Sequence, residues 1–375
     1  MKIIFCDNGI SMLLNFRIDV IRHYIDLGNE VILIYPDMTH REELAPQIPQ
    51  GCRTVRVNVN PNSTNIFKDT IYLRTLYRIY RNERPDVVFH YTIKPNIYGT
   101  IAARLAGVKN KVSMVAGLGY VFNGNSIRKR LARLLYKIGL RLSNVVITLN
   151  SANRDLLVDH DYVCKDKIVL FECGEGVNLA SYKFIRNEFG CVRFLMVARV
   201  LYDKGYTEFV EAARIVRRHY PEVAFELLGP IDDKSPMRVP REVIEKDVAE
   251  GAIDYLGVTN DVPAVVGRDG VVVVVSSYHE GMNRSLMEAC AMGRPVITSD
   301  IPGCRELVDE TVNGFKVAPK NAESLALAME SFISLPRERK IAMGEASYRK
   351  AISQYDMQIT LKRYDWILHN LGIET

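Results

Sequence analysis

No run of apolar residues in this chain approaches the 18 or so that a membrane-spanning helix needs. The longest candidate, Gly270 to Ser277, is a short valine run set between Asp269 and His279. No secretory leader is expected either, because Asp7 interrupts the apolar stretch Ile3–Cys6 before it reaches leader length. The seven cysteines are scattered singly, without a Cys-x-x-Cys pair. A disulfide framework and a structural zinc site are therefore not expected, and a reducing cytosol fits. There is no low-complexity tract and no repeat of 20–50 residues, which excludes solenoids and propellers. The Gly-x-Gly-x-x-Gly fingerprint of dinucleotide binding is missing, so a nicotinamide dehydrogenase is disfavoured.

What is present describes a globular protein: 48% hydrophobic and 25% charged residues. The 375 residues exceed what one core holds, which predicts two domains. The net charge of +5 is unevenly spread. Residues 1–180 hold 24 Lys and Arg against 16 Asp and Glu, and the remainder holds 25 against 28. The first half therefore points to an anionic partner. Nucleic acid is not expected as that partner, because the basic excess is confined to one half and carries no recognised motif.

Both halves alternate β-branched runs with amphipathic stretches, the pattern of parallel sheets covered on both faces. Strands are predicted at Lys2–Cys6, Glu30–Tyr35, Arg53–Val59, Val87–His90, Lys111–Val115, Val145–Leu149 and Lys167–Leu170. Helices between them are predicted at Met12–Leu27, Lys68–Asn82, Pro95–Gly107, Ser126–Leu142 and Ser151–Asp159, the last capped by Ser151. Cys173–Lys183 lacks a period and reads as a linker. Strands resume at Arg193–Val197, Ala224–Leu228, Asp254–Leu256, Gly270–Val275, Pro295–Ser299 and Gly314–Val317. Helices are expected at Tyr206–His219, Arg241–Glu250, Ser285–Met292 and Ala322–Ser334.

Such sheets bind ligands at the carboxyl ends of their strands, near helix N-termini. After the first strand, Gly9 opens a helix; the turn either approaches an anion or is simply tight. After the strand ending at Val197, Arg199 and Lys204 lie five apart in one loop. Two cations there can neutralise a diphosphate, Arg as a fork and Lys as a point charge; the alternative is a solvated pair. After the valine run, a polar loop leads into a helix, with Glu280 in the loop and Glu288 on the helix. The amides of Gly281–Ser285 point at an anion above that helix N-terminus, and carboxylates there can grip sugar and ribose hydroxyls. A capped helix with ordinary surface glutamates is the alternative.

The Glu280-x7-Glu288 segment, with Arg199-x4-Lys204-Gly205, resembles the family 4 retaining glycosyltransferases of the GT-B fold. Leu228-Gly229-Pro230, Tyr255-Leu256-Gly257, Pro302 to Val308 and Gly176-Val177-Asn178 agree with it in order. The resemblance implies an α/β fold of two doubly wound, Rossmann-like domains facing a central cleft. Residues 1–180, with a C-terminal crossover helix over 355–375, would bind the acceptor. Residues 181–354 would bind the nucleotide sugar. By this resemblance Arg199 and Lys204 hold the donor diphosphate, and Glu280 contacts the transferred sugar in catalysis. Glu288 binds the ribose. Gly281, Met282, Asn283, Ser285, Gly229 and Gly9 complete the donor site. Many members carry a first-domain histidine near the sugar; here residues 113–122 hold none, and His90, at the end of an earlier strand, is the substitute candidate.

Gly117-Leu118-Gly119-Tyr120 is similar to a bacterial branch that adds N-acetylgalactosamine or galactose to lipid-linked glycans of capsule and O-antigen type. The resemblance thus implies a hexose or N-acetylhexosamine donor, with uracil as the expected base, and a lipid-linked acceptor. No cofactor and no metal are expected, since no Asp-x-Asp stands at a strand end. The segment 126–142 is a basic amphipathic helix suited to an anionic membrane surface, unless its apolar side packs on the sheet. Arg74, Arg78, Arg81 and Arg84 add a second basic stretch. A cytoplasmic enzyme, peripheral on the inner face of the membrane and monomeric or weakly oligomeric, is the expectation. A UDP-sugar epimerase of the same architecture and a non-catalytic sugar-nucleotide-binding protein are the rivals.

Overall fold

The computed structural model describes residues 1–36, 46–58, 66–117, 127–276 and 281–374. Contacts divide the chain into two units: residues 1–175 with 358–375, and residues 176–357. Each is built on one wholly parallel sheet.

The first sheet comprises β1 (Lys2–Cys6), β2 (Glu30–Pro36), β3 (Cys52–Val57), β4 (Val87–Tyr91), β5 (Asn110–Val115), β6 (Val145–Thr148) and β7 (Ile168–Leu170). Its order is β3-β2-β1-β4-β5-β6-β7. The helices are α1 (Ile10–Asp26), α2 (Ile66–Glu83), α3 (Thr100–Leu105), α4 (Ile127–Leu142) and α5 (Ser151–Asp159). Both faces are covered, so β4 (Val-Val-Phe-His-Tyr) is buried throughout.

The second sheet comprises β8 (Arg193–Val197), β9 (Ala224–Leu228), β10 (Asp254–Gly257), β11 (Val271–Val275), β12 (Val296–Ser299) and β13 (Gly314–Val317), in the order β10-β9-β8-β11-β12-β13. Its helices are α6 (Tyr206–Arg217), α7 (Arg241–Ala249), α8 (Val262–Val266), α9 (Arg284–Ala291), α10 (Ala322–Ile333) and α11 (Arg337–Lys350). The five valines of β11 show why a continuous apolar run forms a central strand. Val272 and Val274 join the cluster around Phe209, Met329 and Phe332, under α6 and α10. Val271, Val273 and Val275 join Leu286, Met287 and Cys290 of α9 on the other face. Burying each such side chain stabilises the fold by roughly 1.5–3 kcal/mol.

The last helix, α12 (Met357–Asn370), belongs to the first unit. Tyr364 packs its ring 5.3 Å from Phe89 and 5.5 Å from Phe171, and Asp365 bonds His23 at 3.0 Å. Among the described residues, no helix is long and apolar enough to cross a membrane.

Several expectations need correction. Pro95–Gly107 is not one helix: a π turn over Pro95–Gly99 precedes α3. Two close approaches shape that turn. A Cβ on Gly99 would lie 2.6 Å from His90 Cδ2, and one on Gly139 of α4 would lie 2.3 Å from the Asn96 carbonyl. Asn150, not Ser151, caps α5, its Oδ1 accepting from the Asn153 amide at 2.8 Å. The helix α11 was not expected at all. Its sequence is dominated by charge, and its buried side consists of small residues: Gly344, Ala346 and Ser347 beside Met343.

Candidate functional site

In the second sheet the strand order reverses between β8 and β11, which places the binding crevice above their carboxyl ends. Two connections build it. From β8 the chain runs through Ala198–Leu201 and a 3-10 turn, Tyr202–Lys204, to Gly205, where α6 begins. Gly205 has φ +85°, and a Cβ there would lie 2.2 Å from Ser276 Oγ. Ser276, just past β11, donates from that Oγ to the Gly205 carbonyl at 2.9 Å. The glycine thus lets the α6 N-terminus close against the end of β11.

From β11 the chain reaches α9, whose N-terminus is fixed three ways. Asn283 caps it, with Oδ1 accepting from the Leu286 amide at 3.0 Å. The Asn283 amide donates to the Gly303 carbonyl at 2.7 Å. Ser285 Oγ donates to the Val197 carbonyl at 2.9 Å, tying the helix start to the end of β8. The early amides of α9 therefore sit above the switch point, where they favour an anion. Met282 packs on the core beneath, and Gly281 is half-buried beside it. The helix starts at Arg284, one residue before the expected start. Glu280 lies outside the described residues.

Glu288 stands one turn into α9 and is only 8% exposed. Arg284 Nε donates to its Oε1 at 2.7 Å. The Tyr182 hydroxyl faces both; burial, and then the Glu288 carboxylate, push its pKa well up. Sequence reasoning named Glu288 but missed Arg284 and Tyr182. The i,i+4 spacing of Arg284 and Glu288 was the signal available for one of them.

Arg199 projects from the loop after β8 with its side chain 54% exposed, and donates to Asp232 Oδ2 at 3.0 Å. That carboxylate partner was not foreseen. Lys204 ends the 3-10 turn half-buried. Gly229, past β9, has φ +148°; a Cβ would lie 1.9 Å from the Ala198 carbonyl oxygen. Only glycine lets the end of β9 approach this loop so closely. Arg199, Lys204, Gly229, Ser285 and Glu288 thus all lie at the carboxyl end of one sheet.

Gly9 and His90 belong to the first unit. Gly9 precedes α1 in extended backbone, with φ −171°, so its conformation does not require glycine. The expectation for His90 is corrected. Its ring is fully buried, with Nε2 3.1 Å from Tyr80 Oη and Nδ1 3.1 Å from Thr100 Oγ1. Burial, and then the Lys111 charge, lower its pKa to about 3. A neutral imidazole engaged at both nitrogens inside the core holds the fold and does not reach a substrate. A second buried polar group went unread. Arg17, at the ring face of Tyr91 (4.4 Å), pairs with Glu175 and lies 3.9 Å from Asp7. Burial raises the fully enclosed Asp7 carboxyl to about 6, against the opposing pull of Arg17.

The apolar residues of α4 divide into a buried and an exposed set. Tyr136 and Leu140 are buried, whereas Leu131, Leu134 and Ile138 are 43%, 54% and 41% exposed. Lys137 and Arg141 both bond Asp161. On α2, Arg74, Arg78 and Arg81 are exposed.

Known proteins resemble this chain in family and in fold. Residues 17–174 match the family described as Glycosyltransferase Family 4, and residues 190–350 match Glycosyl transferases group 1. Among curated relatives, the N,N'-diacetylbacillosaminyl-diphospho-undecaprenol alpha-1,3-N-acetylgalactosaminyltransferase of Campylobacter jejuni is 26% identical, over 99% of this chain and 100% of its own. The UDP-Gal:alpha-D-GlcNAc-diphosphoundecaprenol alpha-1,3-galactosyltransferase of Escherichia coli is 27% identical, over 75% of this chain and 73% of its own. Among solved structures, a glycosyltransferase from Rickettsia africae superposes with a TM-score of 0.80 at 19% identity, covering 100% of this chain and 99% of that one. Anabaena HepE, solved with UDP-glucose, gives 0.78 at 19% identity, covering 99% of this chain and 100% of that one.

Proposed function

Since the chain belongs to the glycosyltransferases of the GT-B fold, we propose that it moves a hexose or N-acetylhexosamine from a UDP-sugar to a lipid-linked saccharide, with retention at the anomeric carbon. The observation that carries the donor half of this reading is the α9 N-terminus, fixed by Asn283 and Ser285 above the switch point, with Glu288 one turn behind it. The E. coli relative is named for a UDP-sugar, and both curated relatives are named for diphospho-undecaprenol acceptors.

In the proposed reaction the bond from the anomeric carbon to a diphosphate oxygen breaks. A bond from that carbon to an acceptor hydroxyl oxygen forms on the same face, and the acceptor proton is released. Charge develops on the diphosphate as it leaves. Arg199, Lys204 and the α9 amides offset it, so the chemistry needs no metal. We assign Glu280 to contact with the transferred sugar and Glu288 to the ribose. Gly281, Met282, Asn283, Ser285 and Gly229 shape the pocket through their backbone.

A lipid-linked acceptor requires the enzyme to work at a membrane surface. Residues 101–150 carry nine Lys and Arg and no Asp or Glu. The exposed Leu131, Leu134 and Ile138 of α4 lie within that cationic stretch. We assign this face to an anionic bilayer, on the cytoplasmic side.

The donor reading is tested by thermal shift against a panel of sugar nucleotides. A ligand at 100 times its Kd stabilises by about 2.7 kcal/mol. UDP-sugars are expected to stabilise the wild type, and Arg199→Ala to lose the effect. A wild type indifferent to every sugar nucleotide at millimolar concentration would overturn it.

A further inference from the structure

Glu288 is not a bare carboxylate awaiting a ligand. Its Oε1 already accepts from Arg284 Nε at 2.7 Å, and the Tyr182 hydroxyl lies against both side chains. All three belong to the second unit, and Glu288 and Arg284 are largely enclosed, with side chains 11% and 21% exposed. An enclosed carboxylate without a partner would leave a buried polar group unsatisfied and sample other rotamers. Here one oxygen is bound to a planar cation on the same helix face, one turn earlier. Arg284 is in turn placed by its neighbours, because Asn283 caps the helix and Ser285 ties it to β8. The trio fixes the direction of the second oxygen of Glu288.

We propose that Arg284 and Tyr182 are positioning residues that hold Glu288 oriented to accept hydrogen bonds from the two ribose hydroxyls of the donor nucleotide. The inference rests on the donor reading above and deepens it. Neither residue touches the diphosphate in this account, so their effect is carried entirely by the ribose.

A pair of ligands isolates that effect: UDP and 2′,3′-dideoxy-UDP, titrated calorimetrically against the full chain. In the wild type, UDP should bind about tenfold or more tighter, because hydrogen bonds to a charged group are lost in the analogue. Arg284→Gln should bring the ratio towards one while leaving affinity for the dideoxy analogue unchanged. Arg284→Lys should restore part of the ratio, since a cation returns without the fork. Tyr182→Phe should lower the ratio less, and serves if Arg284→Gln folds poorly. If Arg284→Gln weakens both ligands equally, the arginine acts on the diphosphate and the inference fails alone. A wild type that binds both ligands equally well removes the ribose role of Glu288, and leaves the donor site standing. A wild type that binds neither overturns the donor reading together with this one.

Discussion

Arg199, proposed to hold the donor diphosphate, is already engaged by Asp232. Its bond to Asp232 is exposed, and such pairs contribute little to stability. The bond still competes with an incoming diphosphate. Asp232→Asn is therefore expected to tighten UDP binding several-fold without moving the unfolding midpoint, read by calorimetry and thermal melts. His90 and Asp7 make a second prediction at this scale, on pH. His90 is neutral in the fold, with its pKa lowered to about 3, whereas an unfolded histidine titrates near 6.5. The unfolded chain therefore takes up the proton first, and this group costs stability as pH falls from about 6.5 towards 3. Asp7 is raised to about 6, so the folded state takes its proton first, and stability is gained as pH falls from about 6 towards 4. The two oppose each other. His90→Gln should flatten the acid-side loss in urea unfolding between pH 7 and 4.5, and Asp7→Asn should steepen it. Trp366, the single tryptophan, lies in α12 of the first unit, so its fluorescence follows the unit that holds both groups. Equal slopes in all three proteins would contradict the assignment.

The connections that build the proposed donor site depend on glycines at which a side chain has no room. Gly205→Ala would place a Cβ 2.2 Å from Ser276 Oγ, and Gly229→Ala would place one 1.9 Å from the Ala198 carbonyl, both at positive φ. Each substitution should cost about 1–3 kcal/mol of stability and weaken nucleotide binding, measured by urea unfolding and calorimetry. These elements were largely legible in the sequence. The valines of β11, Gly205 after Lys204 and the polar loop before α9 all follow rules of period and turn chemistry. What was not legible required contacts distant in sequence. Ser285 reaches Val197 across 88 positions, and Tyr182 reaches Glu288 from the segment that precedes β8. His90 was misjudged for the same reason. A histidine at a strand end can face a ligand or the core, and only the packing of Tyr80, Gly99 and Thr100 around it decides. In α11 the apolar stripe that marks a helix is replaced by small residues, because the helix backbone packs closely on Gly293.

At the scale of the whole molecule, the proposed division of labour follows the charge. The basic first unit carries the exposed apolar residues of α4, and the second carries the residues assigned to the donor. Replacing Leu131, Leu134 and Ile138 together by Ser should reduce co-flotation with vesicles containing anionic lipid, and leave UDP binding intact. Because the three side chains are already exposed, the melting temperature should change little. Unchanged flotation would remove α4 from the membrane face. The most direct measurement of the central claim is transfer itself. A UDP-sugar, the wild-type enzyme and a polyprenyl-diphosphate-linked saccharide would be combined in EDTA and the lipid product weighed by mass spectrometry. The account predicts a gain of one or more hexose or N-acetylhexosamine units, abolished by Glu280→Ala and at least a hundredfold slower with Arg199→Ala. An unchanged acceptor, with the donor sugar epimerised or merely bound, would contradict it.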